Sequence, residues 1–184
     1  MRRAWTIGRR GAAALAAFVG VAAAMGCQAE TSIPERTIRV AVSTDVPDAF
    51  DTLRITVARG GAIKFNESYD RATIDALPDS LLLRNGMPFD DQGHEIITPI
   101  QVRVAGLSSE GPLVIERSAQ LIFVIDRPVL LRMPLCEDCL GVLCGEGQTC
   151  VLSKCVDESV DAASLPGDDG TESLESIECP SASP

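Results

Sequence analysis

Between Arg36 and Leu135 the chain shows runs in which apolar residues recur at every second position, and this alternation restricts the chain more than any other feature. Successive side chains of a strand point to opposite faces, so such a run buries one face and wets the other. Ile38, Val40 and Val42 alternate with Thr37, Arg39, Ala41 and Ser43. Leu53, Ile55 and Val57 alternate with Thr52, Arg54 and Thr56; Ile100, Val102 and Val104 alternate with Gln101 and Arg103. Val129, Leu131 and Met133 share a face opposite Leu130 and Arg132. The run Leu121-Ile122-Phe123-Val124-Ile125 is apolar on both faces and reads as a central strand. Shorter strands are expected at 62–66, 80–84 and 113–117, and Arg71–Leu77 admits a short helix. Turn signals separate the runs: Asp45-Val46-Pro47-Asp48, Arg59-Gly60-Gly61, Arg84-Asn85-Gly86, Asp91-Gln92-Gly93 and Glu110-Gly111-Pro112. About seven or eight short strands without a convincing amphipathic helix specify an all-β fold, an antiparallel β-sandwich over 36–135. Its size is that of immunoglobulin-like and fibronectin-like domains. The segment holds no cysteine and no tryptophan, so the architecture alone is indicated, not membership of the antibody family.

The first residues have another purpose. Arg2, Arg3, Arg9 and Arg10 precede an apolar stretch from Gly11 to Met25, the plan of an export signal over 1–26. The stretch is shorter than the roughly 20 residues of a spanning helix. Ala24-Met25-Gly26-Cys27 resembles a bacterial lipobox. That resemblance implies cleavage before Cys27, a diacylglyceryl group on its thiol, and attachment to a membrane through lipid. Gln28 in place of aspartate resembles the sorting signal for the outer membrane of Gram-negative bacteria. Arg9-Arg10 is a weak twin-arginine signal without the usual flanking residues. Residues 27–35 then read as the lipidated cysteine and a polar tether.

Six cysteines follow the sandwich: Cys136, Cys139, Cys144, Cys150, Cys155 and Cys179. An exported chain meets an oxidising compartment, where thiols pair. A piece as short as 136–156 cannot bury enough apolar surface to fold by itself, so it needs cross-links. Six cysteines allow fifteen pairings. The spacing Cys139-x4-Cys144-x5-Cys150-x4-Cys155 is similar to short cystine-rich repeats of exported proteins, loosely like epidermal-growth-factor modules. That resemblance implies Cys139–Cys150 and Cys144–Cys155, with Cys136 taken to join Cys179. The rival reading is a zinc site at Cys136-x2-Cys139, with no histidine nearby to support it.

Residues 157–184 carry eight acids and no basic side chain, with serine, glycine and proline between them, and are expected to be disordered. Asp168-Asp169-Gly170 lacks the alternating acids of a calcium loop. The whole chain has a net charge of −10. Without the four arginines of the signal, 12 basic side chains face 26 acidic ones, a net charge of −14. That balance argues against nucleic acid and against anionic lipid heads as partners. Within 36–135 the charge is nearly even, 11 basic against 13 acidic.

Catalytic signals are few. The one histidine, His94, sits in the loop Asp90-Asp91-Gln92-Gly93-His94-Glu95 and reads as solvated, as does the pair Asp90 and Asp91. There is no Gly-x-Ser-x-Gly elbow, Ser118 has no supporting motif, and no phosphate loop or dinucleotide fingerprint occurs. Asn66-Glu67-Ser68 fits a glycosylation acceptor of little weight in a bacterial chain. The reading is a lipid-anchored, extracytoplasmic protein without an enzymatic activity or cofactor, structural or protein-binding in the cell envelope. The alternatives are an envelope hydrolase or its accessory subunit, using His94 or Asp90 and Asp91, and a small-ligand or metal-binding lipoprotein.

Overall fold

The structure is a computed structural model that describes residues 37–84, 92, 97–123, 127–168, 174 and 179. Among these residues seven strands form two packed sheets. They are β1 (Thr37–Thr44), β2 (Thr52–Arg59), β3 (Ala62–Tyr69), β4 (Asp79–Arg84), β5 (Ile100–Leu107), β6 (Leu113–Leu121) and β7 (Val129–Leu135). One sheet has the order β4-β1-β7, the other β3-β2-β5-β6. The chain is therefore an all-β sandwich, followed by a disulfide-rich module that contains the hairpin of β8 (Gln148–Val151) and β9 (Lys154–Asp157).

The alternating residues make the core. Ile38, Val40 and Val42 of β1 face Leu53, Ile55 and Val57 of β2, with Val102 and Val104 of β5 and Leu131 and Met133 of β7. Phe50, 1% exposed, closes one end of this core against Gly106. Gly106 is glycine because a Cβ there would stand 2.7 Å from the Phe50 ring and 2.8 Å from Ile115. The hairpin between β2 and β3 turns on Gly60 and Gly61, with φ of 55° and 79°. Positive φ at both central residues matches the twist of paired strands. The short helix α1 (Arg71–Ile74) is capped by Asp70, whose carboxylate accepts the Thr73 N–H. Arg71 donates to the Pro47 and Phe50 carbonyls and pairs with Asp48 and Asp75, fixing the β1–β2 connection.

Three features depart from the reading of the sequence. First, β1 and β7 pair in parallel, Ile38 opposite Val129 and Val42 opposite Met133. They are the first and last strands of the sandwich, so no short turn joins them and nothing forces them antiparallel. Second, Leu121–Ile125 is not a central strand: β6 ends at Leu121, Ile122 is 45% exposed, and β6 lies at the edge of its sheet. Residues 124–126 lie outside the described residues. Third, disorder does not begin at Asp157. The isolated bridges Gln120↔Ser159 and Val129↔Gly167 tie residues 159 and 167 to the sandwich, and Ala162 is buried in its core. Composition hid this because a few point attachments suffice where the sandwich already supplies the apolar surface.

Candidate functional site

The two lateral sides of the sandwich differ. On one side lie the outer edges of β6 and β7, and both are capped. The Val114 carbonyl accepts the Gly141 N–H at 2.9 Å, and the Ser118 N–H donates to Thr149 Oγ1 at 2.8 Å. Gln120 donates its N–H to the Glu158 carbonyl at 2.7 Å and accepts from Val160 N–H at 2.8 Å. On β7 the Leu130 N–H donates to Pro166 O and the Pro128 carbonyl accepts from Asp168 N–H, each at 3.0 Å. Arg127 binds the carbonyls of Ala163 at 2.8 Å and Leu165 at 3.0 Å. The cystine module and the start of the tail thus satisfy edges that would otherwise invite pairing.

Three disulfides hold that cover in place. Cys139–Cys150 and Cys144–Cys155 each span 11 residues, and Cys136–Cys179 spans 43. Cys139 and Cys150 are buried in the sandwich core itself, and Arg117 Nη1 donates to the Cys150 carbonyl at 2.7 Å. Burial lowers the Arg117 pKa from its ordinary value. Asp45 lies beside Cys136 and Cys179, but the two sulfurs are bonded to each other and offer no thiolate to a metal.

On the opposite side β3 and β4 end their sheets, and among the described residues no strand pairs with their outer edges. The seam between them opens into two clefts. One of about 70 Å³ is lined by Val42, Leu53, Ile55, Tyr69, Leu77 and Leu81, with Asp79 at its margin. The other, about 310 Å³, has a floor of Val57, Phe65, Leu81, Leu83, Ile100 and Phe123 and a rim of Arg59, Lys64 and Arg84. The inner face of β3 carries Phe65, Glu67 and Tyr69, opposite Val57, Ile55 and Leu53 of β2. The Tyr69 hydroxyl is held above its usual pKa, first by burial and then by the carboxylates of Glu67 and Asp79. The seam therefore offers apolar surface, strand edges and charge of opposite sign at its two ends, the means of holding an extended chain.

The residues singled out in the sequence fall elsewhere. Cys27, His94, Asp90 and Asp91 lie outside the described residues. Ser118 is buried, its hydroxyl directed to the Gln148 carbonyl at 3.4 Å. Asn66 is exposed on β3, where its Oδ1 accepts from Thr56 Oγ1. Asp168 is ion-paired with Arg39. The seam itself was missed. Its one local signal is Glu67, a charge at an inward position of β3 that interrupts the apolar alternation. Among the described residues, no helix is long and apolar enough to cross a membrane. No protein-family model matches the chain, and no curated protein or solved structure is significantly similar to it.

Proposed function

We propose that this chain is a lipid-anchored, non-catalytic protein of the bacterial cell envelope that binds an extended segment of a protein partner along the β3–β4 side of its sandwich. The anchor is Cys27 of the lipobox-like Ala24-Met25-Gly26-Cys27, and Gln28 favours the outer membrane. The observation that carries the binding reading is the contrast between the two lateral sides. Main-chain and side-chain hydrogen bonds cover the β6 and β7 edges, while β3 and β4 end their sheets beside apolar clefts. An added strand gains affinity from main-chain hydrogen bonds and specificity from pockets that take alternate side chains.

The test is photocrosslinking in intact envelopes, with the crosslinker placed at Glu67 on β3, at Leu82 on β4 and at Leu143 in the cystine module, all exposed positions. One partner captured from Glu67 and Leu82 and not from Leu143 is the expected result. Capture from Leu143 alone, or none from the two strands, would refute the site. Cys27→Ala separates the anchor from the site, since it should release the protein from the membrane without altering its sandwich.

A further inference from the structure

The seam changes character step by step along β3. Three side chains of that strand face inward at alternate positions: Phe65, Glu67 and Tyr69. Tyr69 walls the cleft of about 70 Å³ together with Leu77 and Leu81. Phe65 lies on the floor of the cleft of about 310 Å³ with Leu83 and Phe123. Glu67 stands exposed between the two. Successive inward residues of a strand are about 6.8 Å apart. An extended segment beside β3 therefore meets a small apolar cleft, a carboxylate and a larger apolar cleft at its own alternate residues. At Lys64 the pairing of β3 with β2 shifts register, so the regular edge is the five residues Phe65–Tyr69.

The negative charge at the middle position has a second source. The Tyr69 hydroxyl feels Glu67 and Asp79 together, so both carboxylates face the same stretch of seam, one from β3 and one from the first residue of β4. Asp79 accepts the N–H of its neighbour Ser80 at 2.7 Å, and among the described residues neither carboxylate has a basic partner. Arg71, two residues past Tyr69, is committed to Asp48 and Asp75. The β1–β2 and β3–β4 connections that adjoin the small cleft lie wholly within the described residues. Arg59 and Arg84, on the far rim of the larger cleft, have partners of their own and take no part.

We propose, resting on the reading that the seam holds an extended segment, that it selects a partner strand of the pattern aliphatic–x–basic–x–aromatic, running antiparallel to β3. A valine or leucine opposite Tyr69 fills the small cleft. A lysine or arginine opposite Glu67 lies between the two carboxylates. An aromatic ring opposite Phe65 occupies the larger cleft. Antiparallel ladders are slightly more stable per residue than parallel ones, which sets the direction. Cross-strand pairs of opposite charge and of two aromatic rings each add stability. The clefts set the order. A cavity of about 150 Å³ admits benzene, so one of half that volume takes a branched aliphatic side chain and no ring. The pattern spans five residues, as does the regular edge of β3.

The test titrates the full chain, held in detergent, into fluorescent heptapeptides and reads their anisotropy. Thr-Val-Thr-Lys-Thr-Phe-Thr should bind. Glutamate in place of its lysine should weaken binding by at least about fivefold. Exchanging its valine and phenylalanine should weaken binding as much. Glu67→Lys should invert the preference between the lysine and glutamate peptides. Glu146→Lys, the same change in the cystine module, should leave that preference as it was. Both glutamates are exposed, so neither change should disturb folding. Equal affinity for all the peptides, no binding of the lysine peptide, or a preference that Glu67→Lys does not move would overturn the pattern. The broader reading is judged separately, by the crosslinks from Glu67 and Leu82 in intact envelopes. A partner captured there on a segment without the pattern would refute this inference and leave that reading standing.

Discussion

Arg39 of β1 and Asp168 of the tail form an ion pair at 2.8 Å, with side chains only 15% and 7% exposed. One residue earlier, Gly167 bridges to Val129 on β7, the strand next to β1. The stretch of the tail that ends at Asp168 is thus fastened by charge and by main chain at adjacent positions. Taking one partner from a largely buried pair removes a close counter-charge from the other and costs up to about 3 kcal/mol. Asp168→Ala should therefore lower the melting temperature by several degrees. Arg39→Met with Asp168→Leu should recover most of that loss, because apolar side chains can replace a buried pair at little cost. A double variant as unstable as the single one would show that the tail is held by other contacts.

The disulfides should differ in weight although two of them close loops of equal length. A loop of 11 residues is worth about 3 kcal/mol by chain entropy, in Cys139–Cys150 and Cys144–Cys155 alike. Cys139 and Cys150, however, are 5% and 2% exposed within the sandwich core, while Cys155 is exposed. Replacing the first pair by alanine also leaves space in the core and loosens the Cys150 carbonyl that Arg117 holds. Urea titration should rank Cys139→Ala/Cys150→Ala below Cys144→Ala/Cys155→Ala by about 1 kcal/mol or more. Equal losses would mean that the module is not part of the core.

The strands most legible in the sequence are those whose apolar side chains enter the shared core. β1, β2, β5 and β7 were readable because the apolar residues at alternate positions, such as Ile38, Val40 and Val42 or Val129, Leu131 and Met133, meet the other sheet, although β7 also buries Leu130 and Pro134 on its other face. β3 was visible only over 62–66, whereas it runs to Tyr69. Its inner face borders the open seam, so Glu67 can replace an apolar residue there without being buried. The seam was illegible for a related reason. It depends on which strands end each sheet, and strand order is a non-local property that no alternation pattern carries. The module was legible through its cysteines, but its place on the β6 edge was not. That place rests on the Ser118 N–H and Thr149 Oγ1, two groups with no distinctive spacing.

Gly106 gives the sharpest packing prediction. It lies in β5, where a methyl group would fall 2.7 Å from Phe50 Cγ and 2.8 Å from Ile115 Cγ2. Both neighbours are 1% exposed and cannot swing into solvent. Alanine normally favours a strand over glycine, by about 0.5–1 kcal/mol. Overpacking at this contact costs about 1–3 kcal/mol and should win. Gly106→Ala should therefore destabilise the sandwich, and combining it with Phe50→Leu should restore part of the loss. A more stable Gly106→Ala protein would show that the Phe50 ring has room to move.

Glu116 on β6 predicts a pH dependence of definite sign. Burial raises its pKa above the ordinary carboxylate value, Arg103 opposes the rise, and Glu158 adds to it. Between the unfolded and folded pKa values the folded state binds more protons, so stability falls as pH rises through that window. The cost is complete above the window and absent below the unfolded value near 4.3. The Arg103 contact offsets little, being 3.6 Å long with the arginine half exposed. Glu116→Gln removes the charge and keeps the shape. At pH 7 it should raise the melting temperature by about 1–2 °C, a surface-scale effect of a few tenths of a kcal/mol. The advantage should shrink on acidification and vanish by about pH 4, where the native carboxyl is itself protonated. If the glutamine variant instead melts lower at pH 7, the Arg103 ion pair outweighs desolvation, and the difference should then diminish with added salt.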